Sequence, residues 1–180
     1  MITKILDCIF IGDIFSTAEI NIEKFKIQIV LTLSSQPLAL EKRIIGVDYQ
    51  FIYMLDVENQ NIFSSNILQK TFNLLQKCWE NKQSILVHCE SGISRSVTII
   101  IAFLMKKNNW SYLNSFNFLK EKHSIARKIL FFDFNVLKHF SDNKNIFCEF
   151  GYLITPMVWM ELDELKGKIN CPGCNIKLGF

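Results

Sequence analysis

Hydrophobic positions in the first third of the chain occur in short runs separated by polar breaks. Residues 5–11, 27–33 and 49–55 are rich in aliphatic and aromatic side chains, which favour strands over helices in runs of this length. Gly12 and Asp13 close the first run, and a Ser-Ser-Gln-Pro segment ending at Pro37 breaks the second. The pattern therefore predicts three strands before residue 56.

A helical pattern begins after residue 63, because apolar side chains recur there at intervals of three and four. We predict a helix that Ser64 or Ser65 caps and that runs to about Asn81. A strand at 84–88, a loop, and helices over 95–108, near 111–122 and near 132–141 follow. Strands that alternate with helices predict a three-layer αβα domain. Its predicted extent is 1–142, with a short tail at 143–180.

Composition narrows the class of protein. A chain of 180 residues with 49% hydrophobic positions can bury one core, and a net charge of +3 without charge blocks predicts no nucleic-acid surface. Asp7 and Asp13 interrupt the first apolar stretch, so we predict no secretory signal. The longest apolar run, 97–105, is about half of what a bilayer crossing needs. We expect a soluble protein with no membrane partner, located in the cytoplasm, the nucleus or both.

The most informative segment joins the strand at 84–88 to the next helix. Backbone N–H groups in such a loop converge on one point, and the helix N-terminus adds partial positive charge there. Gly92 allows a backbone conformation that other residues resist. The segment therefore predicts a cradle for a phosphate dianion. Its residues are His88, Cys89, Glu90, Ser91, Gly92, Ile93 and Ser94.

Cys89 lies at the base of this cradle and is our candidate nucleophile. The converging amides, the helix terminus and Arg95 favour its thiolate form, which could attack phosphorus and form a phosphocysteine. The guanidinium of Arg95 can grip two phosphate oxygens and stabilise the transition state. Ser96 is placed to donate a hydrogen bond to the sulfur, and His88 is expected to order the loop through backbone bonds.

A leaving oxygen needs a proton, and Asp56 is our candidate general acid and base. It follows the third predicted strand and opens a polar loop, 33 residues before Cys89. The carboxyl edge of an α/β sheet is where such loops meet a site. Glu58 and Asp48 remain rival acids.

The segment His88-Cys89-x-x-Gly92-x-x-Arg95-Ser96 resembles the signature of the protein tyrosine phosphatase superfamily. The upstream Asp56 and the spacing resemble its dual-specificity branch, over about residues 3–141. The resemblance implies a mixed, largely parallel sheet with helices on both sides. It also implies hydrolysis of phosphotyrosine and phosphoserine/threonine in phosphoproteins, with no metal in the chemistry. The carboxylate of Glu90, on the rim of the cradle, should repel highly charged substrates. We therefore expect phosphoinositides and RNA triphosphate ends to be poorer substrates than phosphoproteins.

The tail resembles the zinc domain of one atypical dual-specificity subfamily, which has been tied to assembly of the large ribosomal subunit. The resemblance implies pre-ribosomal particles as partners. Cys171-x-x-Cys174 makes a half-site and Cys148 a third thiolate, whereas a structural zinc site takes four ligands. Zinc binding and free cysteines in a degenerate tail both stay open.

The remaining alternatives concern the whole protein and the other cysteines and histidines. The domain could be a phosphoprotein-binding or ribosome-assembly scaffold with incidental catalysis, or an oxidisable thiolate could add redox control. Cys8 and Cys78 fall on apolar faces and are predicted to be core residues. His123 and His139 are predicted to lie at the surface.

Overall fold

The computed structural model describes residues 1–57 and 66–127, which form a five-stranded sheet with helices. The sheet order is β1-β2-β5-β3-β4, with β1 antiparallel to β2 and all other neighbours parallel. Single 3₁₀ turns occupy Ile14–Thr17 and Leu40–Lys42. The strands are β1 Thr3–Leu6, β2 Ile9–Gly12, β3 Ile29–Ser34, β4 Asp48–Tyr53 and β5 Ile85–His88, and the helices are α1 Glu19–Lys24, α2 Ile67–Glu80, α3 Arg95–Asn108 and α4 Tyr112–Lys122.

The two faces of the sheet bury alternate residues of the same strands. Phe10, Val30 and Leu86 form one apolar cluster with Ile22 of α1 and with Ile27. Side chains of the neighbouring positions, which point the other way in a strand, are buried on the side of α2, α3 and α4. This confirms the predicted three-layer architecture and the mixed, largely parallel sheet.

The first predicted strand was wrong, because residues 5–11 do not form one continuous strand. The chain turns at Asp7 and Cys8, and β1 pairs with β2 as an antiparallel hairpin in which Thr3 faces Ile11. This turn contains Asp7, a residue type that favours turns, but no Gly, Pro or Asn to mark it more strongly. An apolar run through such a turn has the same sequence pattern as a single strand.

Most other predicted elements are confirmed. The observed β3, β4, β5 and α4 lie within a few residues of their predicted ranges, and α3 has the predicted bounds. Asn66, in a left-handed conformation, precedes α2 without a side-chain cap bond. The short helix α1 had not been predicted. Ser64, Ser65, the helix near 132–141, the boundary at 142 and the tail lie outside the described residues.

The parallel strands end at a common edge of the sheet, which positions the site. In the pairing register Gly12 lies beside His88, and His88 beside Thr32. The first turn of α3 begins seven residues after β5 ends, so the connecting loop lies at this edge. Within the described residues, no helix has the length and apolar character needed to cross a bilayer.

Candidate active site

The loop of residues 89–94, here called the β5–α3 loop, depends on Gly92 for its course. Gly92 has φ +71°, in the left-handed region that favours glycine. A Cβ at this position would lie 2.9 Å from the carbonyl carbon of Gly12 and 3.1 Å from the nitrogen of Asp13. The predicted need for glycine is thus explained by both its conformation and its contact with the end of β2.

Three carbonyl oxygens of the β5–α3 loop accept hydrogen bonds from residues that belong neither to β5 nor to α3. No peptide bond among the described residues is cis, and a trans unit holds its N–H opposite its carbonyl. The amides that follow these carbonyls therefore point away from the outside donors, as a phosphate cradle requires. The bonds run from Ile14 N to Glu90 O (3.1 Å), from His123 Nε2 to Gly92 O (2.9 Å) and from Arg127 N to Ile93 O (3.4 Å).

The sulfur of Cys89 lies beneath this loop and is almost fully buried. It is 3.3 Å from Ser96 Oγ and accepts a hydrogen bond from Gly92 N at 3.3 Å. The N-terminus of α3 adds its partial positive charge from the same side. The structure thus brings Cys89, Gly92 and Ser96 together as the sequence predicted.

Arg95, the first residue of α3, directs its guanidinium toward the end of β4. Its Nη1 donates to the carbonyl oxygen of Met54 at 3.3 Å, and Nη2 lies 3.6 Å from Asp56 Oδ2. Among the residues that the structure describes, its buried Nε has no hydrogen-bond partner. A buried donor of this kind is available to an oxygen of a bound phosphate.

Asp56 follows β4 and lies beside Arg95, with 48% of its side chain exposed. Asp48 is at the opposite end of β4, where it accepts hydrogen bonds from Gln50. The parallel register places that end away from the β5–α3 loop, which favours Asp56 over Asp48 as the acid. Glu58 lies outside the described residues.

His88 orders the loop, as predicted, and is buried in the sheet. Its Nδ1 donates to the Cys89 carbonyl oxygen at 3.3 Å, and its Nε2 accepts from Thr32 Oγ1 at 2.8 Å. Burial lowers the pKa of His88 to about 4. A neutral imidazole with both nitrogens engaged is a structural group, not a proton donor to substrate.

The prediction that His123 lies at the surface was wrong. Its side chain is buried and reaches the β5–α3 loop, and burial lowers its pKa. His123 follows Phe116 and Leu119 at helical spacing on the buried side of α4. That spacing was the available signal, but a polar side chain on an apolar face gives no indication of its partner.

The remaining predicted site residues differ in exposure. Glu90 and Ser91 are exposed on the loop, whereas Ile93 and Ser94 are partly buried. Cys8 and Cys78 are core residues, as predicted, and burial raises the pKa of Cys78 to about 11. No cluster of potential metal ligands occurs within the described residues, and Cys148, Cys171 and Cys174 lie outside them.

The class of protein follows from comparison with known families. A family model described as dual specificity phosphatase, catalytic domain, matches residues 9–142. The chain belongs to this family, whose members are cysteine-based protein phosphatases.

Individual relatives support this assignment over parts of the chain. A putative tyrosine phosphatase of Invertebrate iridescent virus 6 is 40% identical over 80 residues, covering 44% of this chain and 55% of that protein. The tyrosine-protein phosphatase yvh1 of Schizosaccharomyces pombe is 38% identical over 73 residues, covering 39% of this chain and 22% of that protein. The chain thus aligns with about half or less of the length of these relatives.

Solved structures support the fold. The Yvh1 phosphatase domain from Chaetomium thermophilum superposes with a TM-score of 0.67 at 24% identity, covering 79% of this chain and 96% of that one. At this identity the similarity shows the fold alone, which agrees with the layers and strand order described above.

Proposed function

We propose that this protein hydrolyses phosphotyrosine and phosphoserine/threonine in phosphoproteins through a phosphocysteine at Cys89. The proposal rests on the arrangement of Cys89, the β5–α3 loop and Arg95. A buried sulfur lies under a loop whose carbonyls are turned outward, with Arg95 at the start of the adjoining helix. This geometry provides a nucleophile, amide donors and a cation directed at one phosphate.

In the first step the thiolate of Cys89 attacks phosphorus, so that an S–P bond forms and the ester P–O bond breaks. Asp56 gives its proton to the leaving oxygen. Arg95 and the loop amides stabilise the charge on the three equatorial oxygens. These roles need no metal ion.

In the second step water attacks the phosphocysteine, and Asp56 takes the proton from it. The S–P bond breaks, which releases inorganic phosphate and restores the thiolate. The hydroxyl of Ser96, 3.3 Å from the sulfur, can donate a hydrogen bond to the departing sulfur.

The position of Glu90 supports phosphoproteins as the substrate class. Its side chain is exposed on the rim of the loop, where a carboxylate repels substrates with several phosphates. Comparison of a phosphopeptide, a phosphoinositide and an RNA 5′-triphosphate tests this ranking. Faster turnover of either of the last two would reverse it.

The catalytic roles can be tested by steady-state hydrolysis of two aryl phosphates, one with a good and one with a poor leaving group. We expect Cys89→Ser to be inactive while folded and still able to bind vanadate. Asp56→Asn should lose about 10²–10⁴-fold on the poor leaving group and much less on the good one. Asp48→Asn, at the opposite end of the same strand, is the matched control and should keep both activities.

Other outcomes of that experiment identify the alternatives. A folded wild-type protein that binds vanadate but turns nothing over would favour the phosphoprotein-binding scaffold. Equal losses for Asp48→Asn and Asp56→Asn would remove Asp56 from the mechanism.

We further propose that the tail binds zinc through Cys148, Cys171 and Cys174 and a fourth ligand. The Cys-x-x-Cys spacing supports this. About one zinc ion per chain in purified protein, lost in Cys171→Ser, is the expected result. A zinc-free protein would indicate that the cysteines are free.

Pre-ribosomal particles as partners, and a cytoplasmic or nuclear location, are proposals that rest on the resemblance of the tail and on the composition. Co-sedimentation with ribosomal precursors and fluorescence microscopy of a tagged chain would test them.

A further inference from the structure

His123 ends α4 and connects the β5–α3 loop to β1. Its backbone N–H bonds to the Leu119 carbonyl at 2.8 Å, which closes the helix. In its side chain, Nε2 lies 2.9 Å from the Gly92 carbonyl oxygen, and Nδ1 lies 2.8 Å from Thr3 Oγ1. The imidazole is buried, so water does not compete for these bonds.

The two bonds define one tautomer of His123. A carbonyl oxygen only accepts, so Nε2 must carry the hydrogen that bonds to Gly92. In the neutral ring Nδ1 is then an acceptor, and the hydroxyl of Thr3 donates to it. Thr3 therefore keeps the proton on the nitrogen that faces the loop.

The bond to Gly92 fixes the direction of the next amide. The Gly92 carbonyl and the Ile93 N–H belong to one trans peptide unit and point in opposite directions. Gly92 has no side chain to restrain rotation of that unit, and glycine is the residue with the widest choice of backbone conformations. An outside bond to the carbonyl therefore determines where the Ile93 N–H points.

We propose that His123 is a positioning residue that directs the Ile93 amide toward bound phosphate by holding the Gly92 carbonyl. The inference rests on the proposed function, since the direction of this amide matters only if the loop binds phosphate. Of the three donors to loop carbonyls that lie beyond β5 and α3, Ile14 and Arg127 act through backbone N–H groups. His123 is the one of these three that a side-chain substitution can test.

Two substitutions separate positioning from packing. His123→Gln places a terminal N–H₂ near the position of Nε2, so it can still donate to the Gly92 carbonyl. His123→Asn is shorter, with its polar atoms near the position of Nδ1, and can reach only toward Thr3. Both amides are neutral and both remove the ring, but Asn is one methylene smaller than Gln, so the melting temperatures of the two variants are compared to separate lost packing from the lost hydrogen bond.

We expect His123→Asn to lower kcat/KM for an aryl phosphate by about tenfold or more, since losing one well-aimed donor to a transition-state oxyanion costs up to 10²–10³-fold. Vanadate affinity should fall with it. His123→Gln should recover most of both losses at a similar melting temperature. Equal losses in Asn and Gln, or no loss in either, would show that His123 has only a structural role.

A measurement without turnover keeps this inference distinct from the proposed function. In ¹H–¹⁵N spectra the Ile93 amide should shift on addition of vanadate in wild type and His123→Gln, and shift much less in His123→Asn. That pattern in a protein without phosphatase activity would retain the positioning role and reject the proposed function. If wild type is an active phosphatase and the Ile93 amide shifts equally in wild type, His123→Gln and His123→Asn, the proposed function is retained and the positioning role is rejected.

Discussion

At the scale of single residues, the surroundings of a cysteine determine its chemistry. Cys78 and Cys89 are both buried, but the burial of Cys78 raises its pKa to about 11. Cys89 instead accepts a hydrogen bond from Gly92 N and lies beside Ser96 at the start of α3. Amide donors and a helix N-terminus place Cys89 where a phosphate anion would bind, whereas Cys78 lies in the apolar core.

Gly92 gives a prediction at this scale. Alanine there would be strained by about 1–2 kcal/mol in the left-handed region and would also place its Cβ against Gly12. We expect Gly92→Ala to lower kcat/KM at least about tenfold, because the loop amides would be displaced from the phosphate.

Gly46→Ala is the control for this prediction. Gly46 has φ +88°, but a Cβ there would meet no atom within 4 Å. It should therefore lose only the backbone-strain part of the free energy of unfolding, about 1–2 kcal/mol, with unchanged turnover. Comparable turnover of the two variants would contradict the prediction.

At the scale of elements, α3 serves both the core and the site. Residues from Arg95 to Met105 of this helix are buried, so α3 is packed on several sides. Phe103 contacts Phe72 of α2, with ring centroids 5.6 Å apart. The same helix begins with Arg95 and presents its N-terminus to the β5–α3 loop. Packing of α3 in the core therefore also fixes the base of the cradle.

Truncation of Phe103 tests the packing of α3 against α2. Phe103 is 2% exposed, and removing a buried phenyl ring costs about 3–5 kcal/mol. We expect Phe103→Ala to lower the free energy of unfolding by that amount in denaturant titrations. Leu113→Ala, at an exposed position of α4, should change it by less than about 0.5 kcal/mol. Similar values for the two variants would mean that α3 is not tightly packed.

At the scale of the whole molecule, the sheet order brings remote segments to one edge. The hairpin of β1 and β2 places Thr3 and Gly12 near β5, and β4 carries Asp56 to the same edge. His88 lies in the middle of this arrangement, with its pKa lowered to about 4 by burial. The folded protein therefore keeps this imidazole neutral over most of the physiological pH range.

Stability should depend on pH because of His88. An unfolded histidine titrates near 6.5, so below that pH the unfolded chain binds a proton that the folded protein excludes down to about 4. The free energy of unfolding should fall by about 3 kcal/mol as the pH drops from 6.5 to 4. His123, whose pKa is also lowered, adds to the fall in the same direction.

Denaturant titrations at several pH values would measure this dependence. His88→Asn cannot titrate and should show a shallower slope between pH 6.5 and 5 than wild type. An unchanged slope would show that His88 does not contribute.

The sequence by itself determined the elements and the chemistry that lie in contiguous segments. Residues 88–96 contain the cysteine, the glycine and the arginine within one strand-loop-helix unit, so their spacing alone predicts the cradle. The helix predicted to follow this loop, over residues 95–108, has the observed bounds of α3. Local propensity and short-range spacing are properties of the chain, and they can be read without a fold.

Tertiary structure decided the contacts between segments far apart in the chain. Arg95 and Met54 are 41 residues apart, and His123 and Thr3 are 120 apart. The choice of Asp56 over Asp48 likewise depended on which end of β4 faces the loop. A hydrogen bond depends on the distance and direction between two groups in space. The pattern of a single sequence contains no information on either quantity for residues that are far apart in the chain. His123 therefore looked like a surface residue in the sequence and is a buried donor to the active-site loop in the structure.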